Sequence, residues 1–586
     1  MRSKAWHMAA ACGLASMVPH AARAQQAPAA PSDIIVTGER ARLSGWRQAE
    51  TQHVIVLSDG REGEVAQIAR NLERLYFLLS VLLNRTEKTD DTVKLRVTLI
   101  GDVAEFQKMD LRNTRWQQGP FNAAFDLRRY YDPREDGAVL ATTRVDQRVV
   151  LQQGQSLANA LMGVQLPSQS TAGDNAPGAS GIAPAGQSGL FGLQSSGDLI
   201  RPIGEESVPL SAESMIYAGF AQHYLTTFFP AAYPRWYLDG FGQLFSTLVV
   251  RGDTVMEYGR PPEGTTAVLQ KFGNFRVADV LSGAYLTQSP DKTRWTPVHA
   301  WMLTHFLFFA PDRRGQLRNY LQQVARGTPP ADAAAVFGDV GTLSADLRRY
   351  FYARKPFERM TYPAERAEAP IVHRLSMGEA AFVKGRLELG SRMETAATGP
   401  ALAQREAWLK RLRADAGKYP TDQGAQVLLA EAECRSGHGS DCGAAAARAL
   451  ALAPNSSPAL TWSGAALLQQ AAGLDGSART AMLRDARATI ARANHADTEA
   501  PGPLIAYYHS FADVGETAPD VAIDGLTKAL TVVPNASATR LTLATEFAAR
   551  GRVAAARGTI LPVARGGYDT PERAGAEAVL IGLQGR

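Results

Sequence analysis

The sequence predicts an α+β N-terminal domain followed by an all-α C-terminal domain of helical repeats. Residues 46–152 alternate strand-like and helix-like patterns, which favours a small sheet with helices packed on it. From residue 376 onward the chain consists of Ala- and Leu-rich helical hairpins. Pro420 and Pro454 lie 34 residues apart, a period typical of two-helix repeats. A chain of 586 residues has room for two or three domains.

The first 24 residues predict an export signal. A positive start is followed by a short, mostly apolar stretch and a small-residue cleavage sequence, carried by Arg2 and Lys4, residues 7–19, and Ala22-Arg23-Ala24. The apolar stretch is too short to span a bilayer, and no later run of about 18 apolar residues follows. We therefore expect an exported protein, periplasmic or associated with the cell envelope, without a transmembrane span in the mature chain.

Charge gives little indication of a nucleic-acid partner. The formal net charge is +5, and Arg2, Lys4 and Arg23 contribute three of these positive charges. The mature chain is therefore near +2, with both signs interspersed, and no nucleic acid is expected.

Three cysteines occur, and Cys12 is expected to leave with the signal. A lipoprotein signal at Cys12 is the alternative, although the preceding MAAA lacks the usual aliphatic residue. Cys434 and Cys442 remain, and in an oxidising compartment this pair predicts a disulfide. A metal site is the other interpretation, but it would need more ligands than His438.

Residues 25–45 are predicted to be a disordered leader. Within them, DIIVTGER at 33–40 resembles the segment that follows the signal in TonB-dependent outer-membrane receptors. No plug or barrel follows, so a short extended lead-in is the alternative. The resemblance suggests an accessory factor that works with an outer-membrane receptor.

The next elements form the α+β part, predicted at 46–356. Strands are expected at 53–59, 94–101, 120–127, 137–142 and 147–152, and apolar residues at helical spacing predict a helix over 62–84. A Gly-, Ser-, Ala- and Pro-rich insertion at about 165–200 is predicted to be a flexible loop or a lid. Residues 209–355 are helical, and an extended stretch at 368–374 leads out of the domain.

The C-terminal part, 376–586, is predicted to hold an opening hairpin at 376–419, four irregular repeats and a capping helix near 570–584. The spacing and the small residues at helix crossings resemble tetratricopeptide (TPR) repeats, with a plain helical bundle as the alternative. Because each repeat mainly contacts its neighbours, this part is expected to fold alone.

The segment 215–246, MIYAGFAQHYLTTFFPAAYPRWYLDGFGQLFS, has the layout of a zinc-peptidase site without its ligands. An active site would show H-E-x-x-H on the first helix and W-x-x-E-G on the next, because two histidines one turn apart share a zinc ion and the glutamate takes a proton from its water. Here Gly219 and Phe220 hold the His and Glu positions, and only His223 and Asp239 remain. No two of the ten histidines lie three or four residues apart, so no helical pair exists.

Residues 46–356 resemble the peptidase MA-like, gluzincin-type domains of exported bacterial proteins. The resemblance is carried by WRQAETQHVIVLSDG and NLERLYFLL, by YYDPREDGAVL, by PRWYLDGFGQLFS and by the closing helices from HAWMLTHFLFF to LSADLRRYF. It implies a metallopeptidase-like fold with a degenerate H-E-x-x-H motif, often followed by TPR-like repeats. Two remaining ligands make a poor zinc site, so no catalytic residue, metal or other cofactor is expected.

The remaining cleft candidates each have a structural alternative. His223 is either a residual ligand with Asp239 or a core histidine hydrogen-bonded to it, and Asp239 before Gly240 could cap a turn. The residues Arg235, Trp236 and Tyr237 either line a cleft for an extended peptide or pack in the core. His305, on a strongly apolar helix, is either buried with a hydrogen bond or lies at the cleft.

Two function classes follow. The first is an exported, non-catalytic binding or scaffold protein with a vestigial zinc-peptidase cleft and a TPR-like surface for a protein or peptide partner. The second is an active zinc metallopeptidase with unusual ligands, which is the one case that implies a zinc cofactor. Metal content distinguishes the two.

Overall fold

A computed structural model describes residues 43–85, 93–111, 129–150, 193–195, 207–272, 276–287, 296–393, 398–567 and 570–584. The predicted signal, most of the leader, the strand expected at 120–127 and nearly all of the insertion at 165–200 lie outside the described residues. No helix among these residues is long and apolar enough to cross a membrane.

A six-stranded mixed sheet forms the centre of the N-terminal part. Its strands are β1 (Leu43–Glu50), β2 (Val54–Ser58), β3 (Leu95–Ile100), β4 (Arg129–Asp132), β5 (Val139–Thr143) and β12 (Ile371–Ser376), in the order β12-β1-β2-β3-β5-β4. The neighbours β2, β3 and β5 are parallel, and the outer strands pair antiparallel. Two small sheets contain β6 (Gln147–Val150), β7 (Leu193–Ser195) and β8 (Ser207–Leu210), and β9 (Val249–Arg251), β10 (Val255–Tyr258) and β11 (Glu358–Thr361).

Helices of the N-terminal part pack on both faces of the large sheet: most belong to the core on its first face, and the short helix at 103–108 lies on its second face, where Phe106 packs with Ile100 and Val139. They are α1 (Glu62–Leu82), α2 (Val103–Lys108), α3 (Ala212–Phe228), α4 (Arg235–Phe245), α5 (Thr265–Phe272), α6 (Val277–Ser282), α7 (Thr296–Phe309), α8 (Pro311–Ala325), α9 (Pro330–Ala333) and α10 (Val340–Tyr352). The predicted helical region at 209–355 is therefore interrupted by the hairpin β9–β10. Short 3-10 helices lie at Ala284–Thr287, Ala334–Phe337 and Ala364–Arg366.

The main core lies between this face of the sheet and α1, α3, α4 and α7. Val54 and Val56 of β2 contribute from the sheet, and Phe220 and Trp301 contribute from α3 and α7. Both α3 and α7 are apolar on nearly every side, which is typical of helices in the middle of a domain. Full burial of such side chains supplies most of the stabilisation of a domain this large.

The C-terminal part consists of antiparallel helical hairpins, so its predicted helical-repeat character is confirmed. The helices are α11 (Met377–Arg392), α12 (Pro400–Lys418), α13 (Gln423–Arg435), α14 (Gly439–Leu452), α15 (Ser457–Ala471), α16 (Gly476–Ala496), α17 (Pro501–Ala512), α18 (Asp520–Val532), α19 (Ser537–Ala549), α20 (Val553–Ala564) and α21 (Arg573–Gly582). Small residues sit where helices cross: a Cβ at Gly464 of α15 would lie 2.5 Å from the side chain of Ile490 in α16.

The stretch expected to lead out of the first domain instead returns to its sheet. Residues 371–376 pair with β1 as the edge strand β12, and Ser376 then caps α11 by accepting a hydrogen bond from the Glu379 N–H at 3.0 Å. The strand was missed because its residues alternate weakly and Ile371 is exposed. Helix α11 packs directly on the second face of the sheet, with Val383 and Leu387 beside Ile100 and Val139.

The end of the repeats also contacts the N-terminal part. Ile560, Leu561 and Leu580 of α20 and α21 belong to the main core. The Val93 N–H donates to the Val532 carbonyl at 3.2 Å, and the Thr539 hydroxyl donates to Glu135 at 2.8 Å. The repeats therefore contact the sheet domain at both their beginning and their end.

A disulfide joins Cys434 and Cys442 across the turn between α13 and α14, with Cα atoms 5.1 Å apart. Both side chains are buried. The bond ties together the two helices of one hairpin at their closest ends.

Candidate functional site

Helices α3 and α4 carry the degenerate motif and pack tightly against each other. Ser211 caps α3 by accepting from the Ser214 N–H at 3.0 Å. The Gln222 side-chain amide donates to the Leu238 carbonyl at 2.9 Å, and a Cβ at Gly242 would lie 3.0 Å from the Ala218 carbonyl oxygen. The motif positions are therefore held in a rigid pair of helices.

An arginine fills the space beside Gly219, where the first histidine of an active enzyme would stand. A Cβ on Gly219 would lie 2.7 Å from Cδ of Arg129 and 2.8 Å from Cδ1 of Leu140. The Arg129 guanidinium donates to Oε1 of Gln222 at 2.5 Å. Phe220, at the general-base position, is buried in the core. A fixed positive charge therefore lies next to the position where a zinc ligand would be needed.

His223 is a part-buried neutral histidine in a polar contact with the repeats. Its Nδ1 lies 2.8 Å from the Tyr131 hydroxyl and 3.4 Å from Nδ2 of Asn535, which also donates to Tyr131. Burial lowers the pKa of His223 to about 3 and raises the pKa of the Tyr131 hydroxyl. Tyr131 therefore stays protonated and donates to an unprotonated Nδ1.

Asp239 does not pair with His223, contrary to one of the two sequence interpretations. Nε of Arg235, one turn earlier on the same helix, donates to the buried Asp239 carboxylate at 2.7 Å. The arginine is closer along the helix and compensates the charge, as an i, i+4 pair does. Among the described residues His223 and Asp239 thus share no hydrogen bond, and each has other polar partners.

The aromatic residues of α4 belong to the core. Trp236 and Tyr237 are buried, and the Trp236 ring lies 5.7 Å from that of Tyr320. Their packing role is therefore the one that the structure supports, and they do not line an open cleft.

His305 is also a core histidine. It is fully buried, with Nδ1 2.7 Å from the Tyr350 hydroxyl and Nε2 2.7 Å from the Gly259 carbonyl. A neutral ring with its proton on Nε2 satisfies both partners, since it donates to the carbonyl and accepts from the hydroxyl. Burial lowers the pKa of His305 to about 4.

Among the described residues, one set of three ligand-type side chains lies close enough together for a metal ion: Glu433, His438 and Asp441. Arg413 already lies among them. Its guanidinium donates to both Glu433 oxygens at 2.6 and 2.7 Å, and it lies 3.2 Å from His438 and 3.8 Å from Asp441. The three groups surround a cation of the chain itself, so they form an ion-pair cluster.

A large cavity lies elsewhere, between the second face of the sheet and the repeats. Its volume is about 920 Å³. Side chains of the sheet, mainly from β2 and β3, line one side, and residues of α11 and of the N-terminal parts of α13, α15 and α17 line the other sides. Its lining includes Leu57, Arg96, Thr98, Phe382, Arg386, Val427, Glu431, Trp462 and Pro501. We call this space the sheet–repeat cavity.

Charged groups are concentrated where the cavity meets α11. Arg386 of α11 forms an ion pair with Asp136, and the buried Arg134 pairs with Asp132 at 2.6 Å. Burial alone would raise the pKa of Asp136, but Arg386 and Arg96 outweigh it and hold this pKa well below its usual range. Burial raises the pKa of Glu431 on α13. The charges thus form a network rather than isolated pairs.

Sequence reasoning missed the sheet–repeat cavity. The segment KLRVTLIG predicts a strand in which Arg96 lies on one face. The repeat helices, which begin about 280 residues later, determine which face of the sheet lines a cavity. No local sequence pattern predicts where those helices pack. The charged residue inside an otherwise apolar strand was the available signal.

No known protein family matches this chain, and no curated protein matches it. Among solved structures, a thermophilic TPR protein from Thermus thermophilus is similar, with 17% sequence identity and a TM-score of 0.27, over 32% of this chain and 93% of that chain. A TM-score of 0.27 does not show a common fold, so the helical-repeat assignment rests on the helical hairpins of this chain. None of these comparisons supports the peptidase-like resemblance of residues 46–356.

Proposed function

We propose that this protein is a non-catalytic binding protein that holds a protein or peptide partner in the sheet–repeat cavity. The proposal rests on the cavity. Its volume is at the upper end of the range for small-molecule sites and is large enough for an extended peptide segment. Its walls combine apolar side chains with a few charged groups, the composition that gives both affinity and orientation. Helical repeats supply such concave surfaces in many scaffolds.

We propose in addition that the N-terminal part descends from a zinc-peptidase-like domain that has lost its ligands. The adjacent helices α3 and α4, which carry the Gly219–His223 and Trp236–Asp239 positions in the expected order, support this. The positions of Arg129 and Arg235 disfavour the alternative of an active metallopeptidase, because three protein ligands are normally needed for catalytic zinc. Stoichiometric zinc in the purified protein, lost in Asp239→Ala, would favour that alternative instead.

Export to the periplasm or cell envelope is part of the proposal. The predicted signal supports it, and the Cys434–Cys442 disulfide is typical of an oxidising compartment. A partner is therefore sought among exported polypeptides.

The test uses a substitution that reduces the volume of the cavity and leaves its charged residues unchanged. Val427 lies part-buried on the cavity wall, and Val427→Trp should fill space that a ligand needs. Val521→Trp is the matched control, since Val521 is 63% exposed on α18 and lies outside the cavity. Twelve-residue peptides selected from a random displayed library against the purified protein serve as probes.

We expect Val427→Trp to weaken binding of the selected peptides at least about tenfold and Val521→Trp to leave it unchanged, with both variants as stable as the parent protein. Peptides that bind Val427→Trp as well as the parent would move the site out of the cavity. A library that yields no binder would overturn the proposal.

A further inference from the structure

We infer that the ligand of the sheet–repeat cavity presents a carboxylate to Arg96. This inference rests on the proposed function and specifies the chemistry of the partner: an extended peptide segment whose acidic side chain or free C-terminus reaches the sheet.

The ion pairs around Arg96 identify it as the cation that is available. Arg134 is paired with Asp132, Arg386 with Asp136, and Arg435 with Glu431 at 3.8 Å. Lys94, the neighbouring cation on the cavity wall, is paired with Glu50 at 2.6 Å. Arg96 itself has no ion pair or hydrogen bond from its guanidinium to any residue that the structure describes.

The acidic groups on the cavity wall are already committed. Glu379 accepts from the Ser376 N–H at 2.7 Å, and Asp422 accepts from the Ala425 N–H at 2.9 Å, each at the start of a helix. Asp497 accepts from the Ala500 N–H at 3.2 Å, and Glu499 pairs with Lys528 at 2.7 Å. Asp136 and Glu431 lie near Arg96, but each forms its ion pair with another arginine, Arg386 and Arg435. Each carboxylate on the described part of this wall therefore has a partner other than Arg96.

Neighbouring positive charge makes an incoming anion favourable at this position. The proximity of Arg386 and then burial lower the pKa of Arg96 to about 10, and the nearby Asp136 and Glu431 offset this only in part, so the guanidinium remains charged at neutral pH under net repulsion. Nε of Arg386 is buried and has no hydrogen-bond partner among the described residues. A carboxylate beside Arg96 relieves the repulsion and can accept two parallel N–H bonds.

The remainder of the cavity suits the flanking residues of a peptide. Leu57 of β2, Phe382 of α11 and Trp462 of α15 line it together with the first turn of α17 at Pro501. Apolar and aromatic side chains in an enclosed site supply affinity, while one charged contact fixes direction. An extended segment in the cavity would therefore be oriented by its carboxylate.

The experiment compares three synthetic pools of twelve-residue peptides, each otherwise random. One pool carries a fixed central Glu with an amidated C-terminus, the second a central Gln with an amidated C-terminus, and the third a central Gln with a free C-terminus. Binding to the purified protein and to Arg96→Gln is measured by fluorescence polarisation. Arg96→Lys keeps the charge, and Arg484→Gln, on the exposed surface of α16, is the control for charge removal.

We expect one of the two carboxylate pools to bind at least about tenfold more tightly than the amidated Gln pool, and which pool does so identifies the source of the carboxylate. Arg96→Gln should abolish this preference, Arg96→Lys should retain part of it, and Arg484→Gln should not alter it. Thermal unfolding of each variant confirms that it is folded.

Two outcomes would overturn the inference, and they are distinguishable. In the first, all three pools bind equally, Arg96→Gln does not change their binding, and Val427→Trp removes it. This outcome refutes the role of Arg96 and leaves the cavity as the binding site. Binding that neither substitution alters refutes the proposed function as well.

Discussion

At the scale of single residues, Gly219 and Phe220 are parts of a packed core. Gly219 is required by its neighbours, because a Cβ there would overlap Cδ of Arg129 and Cδ1 of Leu140. Rebuilding a ligand pair with Gly219→His and Phe220→Glu would therefore first require the removal of Arg129. The glycine and the arginine that packs over it are therefore coupled positions.

The smallest substitution tests this packing. Gly219→Ala should lower the free energy of unfolding by about 1–2 kcal/mol, because overlap with Arg129 and Leu140 outweighs the better helix propensity of Ala. Gly315→Ala is the control in an exposed part of α8, where a Cβ meets nothing within 4 Å, and it should stabilise by about 0.5–1 kcal/mol. Urea unfolding measures both. A stabilising Gly219→Ala would show that the space beside Gly219 is open.

His305 predicts a loss of stability in acid. Its pKa is about 4 in the folded protein, against a usual value near 6.5, because the ring is buried. As pH falls from about 6.5 towards 4, the unfolded chain takes up a proton that the folded chain does not, so stability is lost in this window, by about 2 kcal/mol at pH 5. His305→Gln should reduce the difference in unfolding free energy between pH 7.5 and pH 5 by about that amount.

The reference for this pH dependence is the parent protein, unfolded at both pH values under the same conditions. His305→Gln also loses the bonds to Gly259 and Tyr350, which lowers stability at both pH values, so the change with pH is the quantity to compare. An unchanged pH dependence would mean that the ring is protonated in the folded protein.

At the scale of elements, periodicity predicted the helices and missed the edges of the sheet. The helix expected at 62–84 is α1 (Glu62–Leu82), and the strand expected at 94–101 is β3 (Leu95–Ile100), because both have strong apolar periods. The extended stretch at 368–374 predicts an exit from the domain, and the structure has the edge strand β12 there instead, since an exposed edge strand needs little apolar alternation. Its partner lies more than 300 residues earlier, which no local pattern reveals.

Local sequence patterns predict even less about the candidate site. The H-E-x-x-H positions were found from spacing alone, but their new partners, Arg129 for Gly219 and Tyr131 with Asn535 for His223, come from a strand and a repeat far away in sequence. Arg96 is a candidate for binding a carboxylate only because the neighbouring arginines form ion pairs, and these ion pairs are visible only in the structure. The sequence thus singled out these positions, and the tertiary contacts show which partners they have.

At the scale of the whole molecule, the repeats are attached to the sheet domain at two places. Helix α11 covers part of the second face of the sheet, and α19 to α21 contribute side chains to the main core. The sheet–repeat cavity lies between these attachments. A ligand there would contact both parts, so binding should strengthen their association by mass action.

The two attachments give the last prediction, for a fragment of residues 376–586. Its central helices, α13 to α17, contact mainly their neighbours and should stay folded, as expected for repeats. Helices α11 and α20, whose Leu387 and Ile560 pack against the sheet domain, lose those contacts in the fragment. Backbone amides of α11 and of α19 to α21 should therefore exchange at least about tenfold faster than in the full chain, while those of α13 to α17 change little.

Hydrogen exchange followed by mass spectrometry, with the full chain as reference, measures each helix separately. Uniformly fast exchange would mean that the whole repeat region depends on the sheet domain and that the predicted boundary near 376 is wrong. Protection equal to that of the full chain throughout would show that the attachments to the sheet domain contribute nothing to the stability of the repeats. The predicted pattern, with a protected centre between two weakened ends, would mean that the helices that attach the repeats to the sheet domain need that domain for their full stability.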